Sequence, residues 1–368
     1  MENEKYLTQQ VVTYLGNKRN LLDFIGESIK DIKKELSKDK LVAFDGFAGS
    51  GIVSRYLKQH SSKVYSNDME KYSSIITKSY LTNKSEIDPQ ILQELVNFLN
   101  TNKNTDKFGK GIIEELYSPK NTNNPVTGER CFYTNENAKI IDNIRRLIFE
   151  LDCTEKYKEI LLSLLLQKAS VHTNTSGVFK GFYKSKTTNV GKFGGDGENA
   201  LSRIMGEITL ETPILSNYEC DYEVFNGNTN ELITNVEGLD VTYYDPPYNQ
   251  HPYGSNYHIL NTICNYQKPT SISNVSGIPN DWNKSDYNYK ERAEKSLIEL
   301  IANTKSTFIL LSYNNEGIIN SERIQEILST FGQVKLNKKD YNTFRGSRNL
   351  NNRNLKVQEY LYILKKNI

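Results

Sequence analysis

Four consecutive residues late in the chain, Asp245-Pro246-Pro247-Tyr248, combine a carboxylate, a rigid turn and an aromatic face. Proline fixes φ and removes an N–H, so two in succession make a stiff turn with its carbonyls held outward. The Asp245 carboxylate and the Pro246 carbonyl can both accept from one exocyclic amine. An aromatic amine is a poor nucleophile because its lone pair is delocalised into the ring. Two acceptors on its hydrogens hold the nitrogen near tetrahedral geometry and aim the pair at an electrophile. Tyr248 offers a face on which a base can stack. The competing reading is a plain turn after a buried strand. The preceding Tyr243-Tyr244 and a glycine loop far upstream weigh against it.

That loop is Asp45-Gly46-Phe47-Ala48-Gly49-Ser50-Gly51. Glycines at the carboxyl end of a strand let backbone approach a ligand closely. The pattern is not G-x-G-x-x-G, and no lysine follows to make a phosphate loop, so phosphate binding is not favoured. One βα unit later stands Asp68, where a carboxylate can accept both hydroxyls of a ribose. Loop and acid together point to a nucleoside-containing cofactor. Taken singly, each also reads as a tight turn or a helix cap.

These residues need elements to position them. Residues 20–36 carry Leu21, Leu22, Ile25, Ile29, Ile32 and Leu36 at helical spacing. Short apolar strands are expected at 41–44, 63–66, 222–225, 240–244 and 307–311, with helices at 52–59 and 292–301. Residues 334–336 and 359–364 read as a closing antiparallel pair. Alternating βαβ units imply a parallel sheet with right-handed crossovers. Between 72 and 214 helical patterns dominate (91–99, 138–151, 157–169), separated by polar loops at 119–130 and 173–197. The expected organisation is therefore a catalytic domain of residues 1–80 and 215–368 with an inserted, mainly helical subdomain at 81–214. The polar, aromatic run 251–289 reads as a long functional loop.

Composition narrows the classes. The 368 residues carry 46 Lys+Arg against 44 Asp+Glu, a net charge of +2 (46 − 44), which excludes a binder held mainly by bulk charge. A mean hydropathy of −0.60 and the lack of a long apolar run give no reason to expect a membrane span. The four cysteines, Cys131, Cys153, Cys220 and Cys264, have no metal or disulfide spacing, so no metal and a reducing cytoplasm are expected.

In motif order the chain resembles the class alpha, Dam-like DNA adenine-N6 methyltransferases of restriction-modification systems. The resemblance rests on Tyr14-Leu15-Gly16-Asn17-Lys18, residues 44–51, Asn67-Asp68, an insertion, and then Asp245 to Tyr248. It is reinforced by 256–262 and by Leu311-Ser312-Tyr313-Asn314-Asn315-Glu316-Gly317, and is weakest across 81–165. It implies a Rossmann-like fold and S-adenosylmethionine as cofactor. Tyr14 and Lys18 would touch the methionine part; Asp45, Phe47, Ala48, Gly49 and Gly51 would line the pocket, and Asp245 would border it. Asp68 would hold the ribose. Asn228 stands where the family often has an Asp for the cofactor's adenine amine, and it also reads as a turn residue. Lys18 has a bland alternative, a solvated lysine at a helix start.

The resemblance further implies duplex DNA as partner, a base flipped into the site, and a cognate restriction endonuclease acting separately from a monomeric methyltransferase. Lysines interleaved with aromatics at 174–186 suit phosphate contact, with Asn174, Gly177, Lys180, Lys184 and Lys186 as candidates. Arg345, Arg348 and Arg353 form a second basic cluster, suited to phosphates or guanine edges. The run 251–289 is expected to close over the flipped base. Methyl transfer to RNA adenine or to protein glutamine is the rival within catalysis, and a non-catalytic DNA-binding subunit the rival outside it.

Overall fold

The computed structural model describes residues 1–342 and 356–367. Seven strands form one sheet in the order β3-β2-β1-β4-β5-β7-β6. They are β1 (Leu41–Asp45), β2 (Ser61–Asp68), β3 (Asp221–Asn226), β4 (Leu239–Tyr244), β5 (Ser306–Asn314), β6 (Gly332–Asn342) and β7 (Lys356–Lys366). The first five are parallel, and β7 runs antiparallel to both β5 and β6. Each strand expected from sequence is present, including the closing pair.

Period-two alternation lets the central strands feed two cores. Ala43, Tyr243, Leu310 and Leu361 point to one face, where helix Leu22–Glu35 buries Ile25, Ile29 and Ile32 against them. Phe44, Tyr244, Leu311 and Tyr362 point to the other, under helices Lys290–Asn303 and Ser321–Ser329. Strands covered on both faces read as near-continuous apolar runs, as β1 does up to Asp45.

Chain order reverses at β1: β2 and β3 lie to one side, β4 and β5 to the other. Such a switch point opens a crevice outside the carboxyl ends of the strands. Asp45, Asp68 and Tyr244 end three strands there. Because β7 is antiparallel, its early residues reach the same edge, and Glu359 pairs in register with Asn314 at the end of β5.

Between β2 and β3 lie helices Lys71–Leu81, Pro89–Asn102, Ile112–Tyr117, Asn135–Glu150, Glu155–Val171 and Leu201–Met205. A third apolar cluster joins the first five of these to Tyr257, Ile259, Leu260 and Ile263, while Ile204 of the last packs with Cys131 and Phe193. The expected long loop 251–289 therefore needs correction. Tyr253–Asn256 and His258–Asn265 are helices, and the second buries Ile259, Leu260 and Ile263. Those residues have helical spacing, which draws the segment into the core.

Candidate active site

A cavity of about 360 Å³ lies outside the strand ends, within the size range of small-molecule sites. Of the expected residues, Tyr14, Lys18, Phe47, Ala48, Gly49, Asp68, Asn228, Asp245 and Pro247 line it. Asp45, Gly51, Pro246 and Tyr248 stand outside its lining.

Backbone conformation explains the glycine loop. Gly49 has φ of +55°, and a Cβ there would come within 2.7 Å of the Tyr14 ring. Only glycine keeps that space open. The N–H of Gly49 donates to Asp68 Oδ2 at 2.7 Å, and that of Glu70 to Oδ1 at 2.8 Å. Asp68 thus has both oxygens anchored, with lone pairs left on each. Gly51, at φ +74°, caps helix Ile52–Lys58 and packs against Thr77, so its role is in the turn and not in the cavity lining.

Asp45 also departs from expectation. It is buried behind the lining, with Oδ2 accepting from Ser54 Oγ at 2.6 Å. Burial pushes its carboxyl up to about 7, partly offset by the Ser54 hydrogen bond. Asn228 caps helix Thr229–Leu232, its side chain accepting from the Asn230 N–H.

Lys18 is 5% exposed, which overturns the solvated reading. Its ammonium lies 3.0 Å from Asp245 Oδ2, 3.2 Å from Glu359 Oε1 and 3.3 Å from the Gly16 carbonyl. Three donors thus meet three acceptors. Burial disfavours the charge, but Asp245 and Glu359 together hold the ammonium well above its ordinary pKa. Asp245 Oδ1 is buried without a hydrogen-bond partner among the described residues. Burial raises the Asp245 carboxyl to about 6, against the pull of Lys18.

The catalytic loop is braced from outside. The Ile318 N–H donates to the Tyr248 carbonyl at 2.9 Å, and the Tyr248 ring meets Tyr313 edge-on with centroids 6.1 Å apart. Tyr14 stacks on Tyr253 and Tyr257, with centroids at 5.1 and 4.9 Å.

Glu70 and Tyr253, which line the cavity, and Glu359 and Tyr257, which stand outside its lining, escaped the sequence reading. Glu70 is buried and accepts from Asn261 and Asn283, and burial raises it to about 7. Glu359 had a signal, an acid beside the apolar run 360–364.

The basic loop divides. Asn174 is fully buried, donating to the Cys131 carbonyl at 2.8 Å and accepting from the Gly194 N–H at 2.9 Å. It holds the loop's shape, which corrects its expected role as a direct DNA contact. Gly177, at φ +121°, packs against Thr13. Lys180 and Lys186 are exposed, and Lys184 lies 5.1 Å from the Phe182 ring centre. Phe179, just before Lys180, is buried; its N–H donates to the Asn256 carbonyl at 2.7 Å and its carbonyl lies 3.0 Å from His258 Nε2. Arg345, Arg348 and Arg353 lie outside the described residues.

A doubly wound sheet, a glycine loop after β1, an acid ending β2 and Asp-Pro-Pro-Tyr after β4 define a Rossmann-like methyltransferase. Residues 14–327 match the family described as D12 class N6 adenine-specific DNA methyltransferase, and the chain belongs to that family. It is 30% identical over 364 residues to the type II methyltransferase M.NlaIII of Neisseria lactamica, covering 96% of this chain and 99% of that protein. It is 28% identical over 366 residues to the type II methyltransferase M.CviAII of Paramecium bursaria Chlorella virus 1, covering 96% and 98%. It is 31% identical over 370 residues to modification methylase StsI of Streptococcus sanguinis; that match covers 96% of this chain and 52% of StsI.

Proposed function

We propose that this DNA adenine-N6 methyltransferase takes its methyl group from S-adenosylmethionine and acts on an adenine flipped out of duplex DNA. The observation that carries this reading is the asymmetry of Asp245, a residue of the cavity lining: one oxygen is anchored by Lys18 and the other is buried without a hydrogen-bond partner among the described residues. A buried acceptor without a donor is costly unless a ligand supplies one. The amine of an unpaired adenine does so.

The cavity fits the cofactor on two counts. Its floor at Gly49 admits no side chain, and Asp68 is held by two backbone N–H groups with lone pairs free for vicinal hydroxyls. Asp68 would hold the ribose, and Tyr14, Phe47, Ala48 and Gly49 would line the rest. S-adenosylmethionine supplies the electrophilic methyl group when bound. Lys18 is read differently from the sequence expectation, as counter-ion to Asp245 and not as a methionine contact.

Asp245 Oδ1 and the Pro246 carbonyl accept the N6 hydrogens and localise the lone pair. Tyr248 stacks the base. With its lone pair so held, N6 would attack the methyl group that S-adenosylmethionine would supply, with sulfur as the leaving group, and would then shed a proton. A carboxyl near pKa 6 can take that proton and pass it to solvent near neutral pH. Unstacking and unpairing the base costs a few kcal/mol, so a separate surface must grip the duplex. We assign this to 81–214 as an inserted recognition subdomain within a catalytic domain of 1–80 and 215–368. Relatives named type II methyltransferase and modification methylase support a restriction-modification role. The test is transfer of labelled methyl groups from S-adenosylmethionine to duplex DNA, RNA and protein, followed by nucleoside analysis. Label in anything but N6-methyladenine of DNA overturns the reading.

Two further results are expected. Asp68→Ala should weaken S-adenosylmethionine binding by about 1.5–3 kcal/mol, the scale of hydrogen bonds to a charged group. Unchanged affinity by calorimetry would reduce Asp68 to a brace for Gly49 and Glu70. Replacing Lys180, Lys184 and Lys186 together with Ala should flatten the salt dependence of DNA binding. Each lost phosphate contact lowers the log–log slope by about 0.9 on duplex DNA, and sequence preference should barely change. An unaltered slope would move the DNA grip elsewhere in the insertion.

A further inference from the structure

We propose that Glu359 is a positioning residue for methyl transfer: from β7 it fixes the Lys18 ammonium against Asp245 Oδ2, so that Oδ1 faces the target amine. It also leaves the buried Asp245–Lys18–Glu359 trio with a net negative charge where positive charge develops on nitrogen. The inference rests on the role of Asp245 given above.

The geometry is specific. Glu359 is 3% exposed, and its Oε1 lies 3.2 Å from Lys18 Nζ and accepts from Ser312 Oγ at 2.7 Å. Ser312 lies on β5 and Glu359 on β7, so the acid is held by two neighbouring strands of the rigid sheet. Without Glu359, Lys18 keeps only Asp245 and the Gly16 carbonyl, and its flexible stem can swing toward either carboxylate oxygen. One ammonium balances only one of the two carboxylates. The remaining charge favours an amine that is becoming cationic and strengthens the hold of Asp245 on a proton.

The ionisable groups around the Asp245 carboxyl are Lys18 from the N-terminal loop, Glu359 from β7, Asp45 from β1 and Tyr243 from β4. Tyr248 and Tyr253 complete them on the loop and helix that follow. Glu359 and Lys18 act on Asp245 with opposite sign.

The test is Glu359→Gln, which keeps the shape and removes the charge. Turnover should fall by up to about a hundredfold, the scale of a small misplacement of a reacting group. The Asp245 midpoint should move down by about one pH unit, the size of a neighbouring charge effect. Carbon-13 NMR of the aspartate carboxyls reads it in cofactor-free protein, and the acid limb of the pH–rate profile reads it in turnover. Cofactor affinity should stay as in the wild type. Ser312→Ala, which frees the Glu359 carboxylate without removing its charge, should lower turnover and leave the midpoint in place. An unmoved midpoint in Glu359→Gln, or wild-type turnover in either variant, overturns the role of Glu359. Wild-type turnover by Asp245→Ala would instead overturn the reading of the site on which this rests.

Discussion

Asp245→Ala is expected to abolish methylation of DNA adenine while leaving S-adenosylmethionine binding nearly intact. Losing one preorganised hydrogen-bonding group at a reacting centre costs about a hundredfold to a thousandfold, and in the proposed mechanism the same carboxylate would also receive the departing proton. The fold should tolerate the change, because Lys18 keeps Glu359 and the Gly16 carbonyl as partners. Asp245→Asn should retain a residue of activity, since an amide oxygen still accepts. The pH profile adds a signed check. A carboxyl raised to about 6 is ionised above that pH and protonated below it. Wild-type turnover should therefore fall as the pH drops through about 6, and the residual turnover of Asp245→Asn should not. Steady-state rates on a cognate duplex between pH 5 and 8 measure both, and wild-type rates in Asp245→Ala would sink the mechanism.

Lys18→Met should have the largest effect on stability. The Lys18 side chain is 6% exposed, and Asp245 and Glu359 face it at 18% and 4%. Removing the cation leaves two buried carboxylates without a counter-charge. Breaking a buried ion pair in this way costs about 3–5 kcal/mol, measurable by urea unfolding at neutral pH. The sign of its pH dependence follows. Without Lys18 the folded-state pKa of Asp245 rises further above the unfolded value. A raised group contributes stability below its unfolded pKa and loses it as pH rises through the folded pKa. The deficit of the variant should therefore shrink on acidification, while its activity, which needs ionised Asp245, should survive only at higher pH than in the wild type. A deficit below about 1 kcal/mol would place the pair with ordinary surface ion pairs.

Much of this site was legible because its parts are local. A parallel strand buried on both faces writes itself as a short apolar run, and the candidate residues sit where such strands end: residues 45–51 after β1, Asp68 closing β2, Asp245 after β4. Partnership across the sheet was not legible. Nothing near Lys18 in sequence shows that it meets Asp245 and Glu359, because the closing antiparallel strand alone brings Glu359 to that edge. Asn174 failed for a related reason. A buried asparagine that satisfies its own loop's backbone has the same neighbours in sequence as one that faces DNA. The segment 258–265 looked like loop because its polar residues outnumber Ile259, Leu260 and Ile263, which pull it into the core.

The position of β7 between β5 and β6 also bears on how the protein is born. Synthesis runs from the first residue onward, so β5 leaves the ribosome with one edge bare and waits for residues 356–366 to fill it. Through that interval Lys18 and Asp245 can meet, but the second carboxylate has not arrived. A chain interrupted between Ser329 and Lys356 would already carry the glycine loop, Asp68 and Asp-Pro-Pro-Tyr, yet lack the strand that completes its charge balance. On the role proposed for Glu359, the nascent protein would lack full competence until the sheet has closed. The same order suggests where the gene could be divided: two fragments cut after β6 should regain activity only on reassembly, with insertion of the last strand as the switch.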